Sequence, residues 1–154
     1  MPEFHIRPAT VNDAALIAHH RRAMFADMGF ADTARLEAME AEFTVWVRER
    51  LERNVYLGWF VMDGETVVAG AGLWLMDWPP HIIGAKAQRG NILNVYTQPA
   101  YRRRGLARQL MNVILDWCQA NGVETVILHA SNEGRALYES LGFKATNEMR
   151  IQLV

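Results

Sequence analysis

Asn91-Ile-Leu-Asn-Val-Tyr-Thr-Gln-Pro-Ala-Tyr-Arg-Arg-Arg-Gly-Leu-Ala-Arg108 changes character twice. Asn91 to Thr97 is rich in apolar, β-branched and aromatic residues and reads as a strand, and Gln98-Pro99 ends it because proline has no N–H to give to a ladder. From Leu106 the apolar spacing turns helical, with Leu106, Leu110, Val113, Ile114 and Trp117 on one face until Asn121-Gly122 closes the run. A strand therefore enters a helix through a basic turn. The first turn of a helix leaves backbone N–H groups without internal partners and carries the positive end of the macrodipole, so it attracts phosphate. Gly105 and Ala107 place no bulk in the way, and Arg102, Arg103, Arg104 and Arg108 add charge that pairs with phosphate oxygens. The stretch reads as an anion cradle, with an ordinary basic helix start as the open alternative. It is neither a Walker loop nor a dinucleotide fingerprint, since GxxxxGK[ST] and GxGxxG are both absent.

Working towards the N-terminus, Thr66 to Met76 and Tyr56 to Met62 read as two antiparallel strands joined at Asp63-Gly64, and Trp78-Pro79-Pro80 stops the second. Trp78 to Gly90 is a loop with apolar tips at Ile82 and Ile83. Upstream of the hairpin lie two amphipathic helices. The second begins near Thr33 and carries Leu36, Met39, Phe43, Val47 and Leu51 as one stripe. The first carries Ile17, Met24 and Met28, flanked by Ala14, Ala18 and Phe25; it starts from a Thr10/Asp13 capping box and closes at Met28-Gly29. Phe4 to Ala9 alternates as a short strand.

Towards the C-terminus, Val123 to His129 reads as a strand whose apolar centre, Val126-Ile127-Leu128, implies burial on both faces. Ser131 to Leu141 reads as a short helix capped by Ser131 and stopped by Gly142, and Phe143 to Val154 as a last strand or two. The order βααβββαβαβ implies an α/β chain: a mixed sheet with helices on both faces, in which strands 91–97 and 123–129 are parallel and joined by a right-handed crossover.

Two local patterns carry a resemblance. Arg102-Arg103-Arg104-Gly105-Leu106-Ala107 matches the [QR]-x-x-G-x-[GA] signature of the GCN5-related N-acetyltransferases (GNAT), and Ala136-Leu137-Tyr138-Glu139-Ser140-Leu141-Gly142-Phe143 looks like the LY-x-x-x-GF ending of the same family. In element order the resemblance covers nearly the whole chain. It implies that the strands around Asn91–Thr97 and Val123–His129 splay apart and admit the pantetheine arm of acetyl-coenzyme A. Val95 and Thr97 would offer backbone groups to that arm, and the pyrophosphate would rest on N–H groups from Arg103 through Arg108. The acetyl carbonyl would accept from the Val95 N–H, a one-donor oxyanion hole. Tyr138 would protonate the leaving thiolate. Ser131 stands where many relatives have Asn beside the cofactor, and serves as helix cap and cofactor contact. The activity implied is an acyltransferase of the EC 2.3.1 class, moving acetyl to a small-molecule primary amine by direct attack in a ternary complex. A non-catalytic acyl-coenzyme A sensing module of the same fold is the alternative, motivated by one departure. Many relatives carry a carboxylate on the strand equivalent to Asn91–Thr97, and here only Asn91 and Asn94 stand. The base is open among a water chain held by those residues, Asp27, Glu37 and His129. Trp46 and Trp78 border the acceptor side in that family. Homodimers are common in it, and no interface is legible in these residues.

Composition limits the remaining classes. A chain of 154 residues with 51% hydrophobic and 21% charged residues suits a single domain spanning 1–154 with a sizeable core. Sixteen Lys and Arg against seventeen Asp and Glu give a net charge of -1, which argues against nucleic acid as a partner. Cys118 is the only cysteine, so no internal disulfide forms, and His5, His19, His20, His81 and His129 lack ligand spacing, so no metal is expected. With neither a signal-peptide core nor an apolar run of membrane-spanning length, a cytoplasmic protein without a membrane partner is the expectation.

Overall fold

The sheet grows from a central hairpin. Tyr56–Asp63 (β2) and Thr66–Asp77 (β3) pair antiparallel from Asp63↔Thr66 outward, and Gly64 turns the chain at φ 60°, a conformation tight hairpins demand and side chains disfavour. The computed structural model describes residues 3–83 and 86–154. Phe4–Pro8 (β1) adds to β2 and Gln88–Thr97 (β4) to β3, both antiparallel, while Val126–Leu128 (β5) joins β4 in parallel, so the spatial order is β1-β2-β3-β4-β5.

Alternation along β2 decides what each face receives. Phe60 and Met62 point to one side and meet α1 (Ala14–Asp27) and α2 (Thr33–Glu52) through Ala14, Ile17, Val47 and Leu51. Trp59 and Val61 point to the other and meet α3 (Leu106–Ala120) through Leu106, Leu110, Met111 and Ile114. Helices thus cover both faces of a mixed sheet, as the periodicities require. Cys118 lies buried on the α3 side, where burial pushes its thiol up to about 11.

Local chemistry sets the helix starts. The Asp13 carboxylate accepts from the Thr10 N–H at 2.7 Å, closing the expected box around a 3₁₀ turn at Val11–Asp13 that leads into α1. Arg7 forks onto the same carboxylate at 2.9 Å and 2.9 Å, and this hydrogen bonding holds Asp13 below the usual carboxylate range. Asp32 caps α2 by accepting from the Arg35 N–H at 3.1 Å.

Several boundaries differ from the sequence reading. β4 begins at Gln88 instead of Asn91, because Gln88, Arg89 and Gly90 pair with Asp77, Met76 and Leu75 although they lack strand character. The preceding loop is correspondingly shorter; Ile82 and Ile83 are exposed in it, and Gly84 and Ala85, which fall within it, lie outside the described residues. Met28 is exposed beyond the end of α1, so the apolar stripe stops at Phe25. β5 contracts to Val126–Leu128 and is half-buried instead of covered on both faces, since it is an edge strand with β4 as its one neighbour. The final helix, α4, spans Arg135–Ser140: the Ser131 hydroxyl accepts from the Gly134 N–H at 3.1 Å and holds a turn ahead of it. Phe143 to Val154 forms no strand. Phe143 packs edge-on to Tyr138, with ring centroids 6.1 Å apart, after which Met149, Ile151 and Leu153 stand exposed with no ladder beside them.

Candidate active site

The parallel strands part company at a bulge. β4 and β5 are paired from Gly90↔Val126 to Ile92↔Leu128, and β4 then runs on through Leu93–Thr97 with no β5 residue beside it. On its other side β4 pairs Leu93 with Gly72 and Tyr96 with Gly70, so Ala71 faces both Asn94 and Val95. The extra residue is accommodated by Asn94 in the left-handed region at φ 59°, and such a bulge bends its strand. Beyond the bulge lies an open backbone edge carrying Val95 and Thr97.

That edge leads into the basic turn. Pro99–Tyr101 makes one 3₁₀ turn, Arg103 holds φ 62°, and Gly105 is the N-cap of α3 at φ 75°. A glycine suits the last position on two counts: a side chain would be strained there, and a Cβ would project into open space, with no atom within 4 Å. Among the described residues no side chain caps α3, so the first-turn N–H groups of Leu106, Ala107 and Arg108 have no protein partner there. Leu106 itself is buried and anchors the turn to the core.

The arginines divide by what they already hold. Arg102 donates to Asp27 at 2.6 Å and to the Thr97 carbonyl at 2.9 Å, tying the end of α1 to the end of β4. Arg104 lies over the Tyr101 ring at 5.4 Å, and Tyr101 in turn donates to Asp63 at 2.9 Å. Arg108 donates to the Ser140 hydroxyl at 3.0 Å and so joins α3 to α4. Arg103 is exposed and makes no side-chain hydrogen bond among the described residues.

Tyr138 sits across the same apolar cluster that Val95 packs against. Its ring lies against Gly134, where a Cβ would come within 2.8 Å of it, and against Phe143. Its hydroxyl makes no hydrogen bond among the described residues, and burial pushes its pKa up, so it is protonated at neutral pH.

Of the candidate bases, Asp27 is engaged by Arg102, Glu37 is exposed on α2, and His129 is exposed beside Glu148 at 3.5 Å. Asn94 is buried and engaged at both ends: its Oδ1 accepts from Arg21 at 2.9 Å and its Nδ2 donates to the Tyr56 hydroxyl at 3.0 Å. A crevice on the α1 side of the bulge is lined by Ile17, His20, Tyr56, Gly70, Ala71 and Asn94. Burial lowers His20 to about 4, which leaves it neutral at pH 7. The sequence reading missed His20, Arg21 and Tyr56 as site residues, although His20 and Arg21 lie three and four residues past Ile17 on the buried helix face. Trp46 packs into an aromatic group with Phe43 at 5.2 Å and Trp74 at 5.1 Å, whereas Trp78 lies in the outer loop under Arg89. Among the described residues no cluster of His, Cys, Asp and Glu is arranged to hold a metal ion, and no helix is long and apolar enough to cross a membrane.

Comparison with known proteins agrees with this geometry. A GCN5-related N-acetyltransferase from Ralstonia eutropha JMP134 superposes with a TM-score of 0.92 at 36% identity, covering 98% of this chain and 99% of that one. A predicted acetyltransferase from Clostridium acetobutylicum, solved with acetyl-CoA, has the same fold, with a TM-score of 0.90 at 24% identity over 98% of this chain and 97% of its own. Among curated relatives, glucosamine 6-phosphate N-acetyltransferase from Trypanosoma brucei brucei is 35% identical over 80 residues, 51% of this chain and 54% of that protein. The [ribosomal protein bS18]-alanine N-acetyltransferase of Salmonella typhimurium is 44% identical over 55 residues, 34% of this chain and 37% of that protein. The matches span about half or less of the curated relatives' length. The model of the acetyltransferase (GNAT) family matches residues 18–143. With its strands parted at a bulge and an uncapped basic helix start at the end of the open edge, the chain belongs to the GNAT family of acetyltransferases.

Proposed function

We propose that this protein transfers the acetyl group of acetyl-coenzyme A to a primary amine of a small molecule by direct attack in a ternary complex, with Tyr138 as the general acid. The observation that carries the reading is the open edge of β4 from Leu93 to Thr97, which ends in the uncapped start of α3. Acetyl-coenzyme A would supply an activated acyl group and a thiolate leaving group. Its amides suit the backbone of Val95 and Thr97, and its pyrophosphate suits the N–H groups from Arg103 to Arg108, with Arg103, Arg104 and Arg108 near enough in sequence to add charge. Gly105, with no atom within 4 Å of a built Cβ, leaves that approach clear. Arg102, engaged by Asp27, contributes by holding the loop. The exposed Ser131, whose hydroxyl caps the turn before α4, would be a further cofactor contact.

The Val95 N–H would receive the acetyl oxygen, where negative charge develops. Tyr138 would supply the proton to sulfur: its desolvated site keeps the phenol protonated at neutral pH, and its proton would neutralise the departing thiolate while the charge passes to the phenol oxygen. β4 supplies no carboxylate to the amine, which favours acceptors that reach the site as free amines.

Thiol release by the purified protein with acetyl-coenzyme A and a panel of amines tests the reading. Tyr138→Phe is expected to lower kcat by about a hundredfold and to change coenzyme A affinity little. Full turnover of Tyr138→Phe at every pH would remove Tyr138 as the acid. Cofactor binding without thiol release across a broad panel would favour the acyl-coenzyme A sensor, a reading motivated by the absent carboxylate.

A further inference from the structure

Arg21 is a desolvated cation with no anion beside it among the described residues. α1 directs it onto the sheet, where its guanidinium lies 4.9 Å from the Phe25 ring centre and 4.6 Å from that of Phe43. One Nη donates to Asn94, its Nε is buried with no hydrogen-bond partner, and the other Nη donates to nothing among the described residues. Other arginines meet carboxylates: Arg7 with Asp13, Arg53 with Glu49, Arg102 with Asp27, Arg135 with Glu139, and the adjacent Arg22 with Glu40 at 3.2 Å. Arg21, partly buried, is paired with none among the described residues. A guanidinium does not escape this cost by losing its proton, and the cost falls when an anion arrives.

Its position says which anion. Asn94 is the left-handed residue of the bulge, and the next residue, Val95, carries the N–H assigned above to the acetyl group. Asn94 and, through it, Tyr56 hold Arg21 from the α1 side of β4. Burial keeps the adjacent His20 uncharged at neutral pH, so it adds no charge beside Arg21. The planar fork of an arginine fits carboxylate and phosphate alike.

We propose that Arg21 binds an oxyanion on the acceptor itself, so that the substrates of this protein are amines that also carry a carboxylate or a phosphate. The proposal deepens the acetyl-transfer reading and rests on it for the location of the amine.

Matched probes test it: α-amino acids against their amides, and amino-sugar phosphates against the parent amino sugars, each assayed by thiol release from acetyl-coenzyme A. In at least one series the anionic member is expected to exceed its neutral partner in kcat/KM by about tenfold or more. The series that responds tells carboxylate from phosphate. In Arg21→Gln the anionic-to-neutral ratio falls towards one, and Arg21→Lys, which keeps the charge and loses the fork, gives an intermediate ratio; thermal melting verifies that each variant is folded. No preference in either series, or a preference that survives Arg21→Gln, overturns the proposal. Calorimetry of the same pairs on the coenzyme A-bound protein separates the two readings. Anion-dependent binding that Arg21→Gln abolishes, without thiol release, supports Arg21 and refutes acetyl transfer, whereas thiol release at equal rates refutes Arg21 alone.

Discussion

Gly105 and Ala107 do different work in one turn. Gly105 holds φ 75°, so any side chain there strains the backbone whatever it does to a ligand. Ala107 has an ordinary helical backbone one residue into α3, which makes it the cleaner probe of the cradle. A glutamate at this position lies in the first helical turn, where a negative charge favours the helix by about 0.3–1 kcal/mol. Ala107→Glu is therefore expected to keep or slightly raise thermal stability while weakening acetyl-coenzyme A binding by about tenfold or more, with melting and calorimetry read side by side. Unchanged affinity would exclude the α3 start as the pyrophosphate site. The helix start was legible from the motif alone, because backbone N–H groups at a helix start need only local sequence to be located. Arg21, Asn94 and Tyr56 were not: their hydrogen bonds join positions 73 and 38 apart in the chain.

At the scale of elements, burial and surface pairing contribute very unequal amounts. Leu110 is fully buried on α3 against β2 and β3, so Leu110→Ala removes transfer energy and leaves a cavity, with an expected loss of about 2–5 kcal/mol in urea unfolding. Arg102 and Asp27 join α1 to β4 through half-exposed side chains, and Arg102→Gln is expected to cost less than about 1 kcal/mol. A larger loss for Arg102→Gln would show that the loop depends on that tie for its conformation. Helices were read well from sequence because their apolar faces recur every three to four residues: α3 from Leu106 and α2 from Thr33 start where the pattern does. Strand limits were read less well. Gln88, Arg89 and Gly90 have no strand character of their own and are drawn into β4 by β3, while Phe143 to Val154 has strand-like residues and pairs with nothing.

Across the whole molecule, acid stability reports on the packing of α1 against the sheet. His20 lies 3% exposed between Phe60 and Tyr96, and its pKa falls from 6.5 to about 4 in the folded state. The unfolded chain therefore binds the proton first as pH falls. Stability due to this group is complete above about pH 6.5 and is lost progressively down to about pH 4, by an amount on the order of 3 kcal/mol. Asp13, also depressed, loses its contribution only as pH falls through and below the ordinary carboxylate range, so the two windows separate. Urea midpoints between pH 7 and pH 4.5 are expected to drop in the native protein and to drop less in His20→Gln; equal slopes would show that His20 is accessible to protons in the folded state. By itself the sequence determined the order of elements, the helices on two faces of a mixed sheet and the motifs at Arg102–Arg108 and Tyr138, because periodicity, caps and turn residues act over a few positions. Only the tertiary structure decided where β4 leaves β5, which arginines already hold a carboxylate, and that Arg21 holds none among the described residues. Those properties depend on register and on side chains brought together from distant parts of the chain.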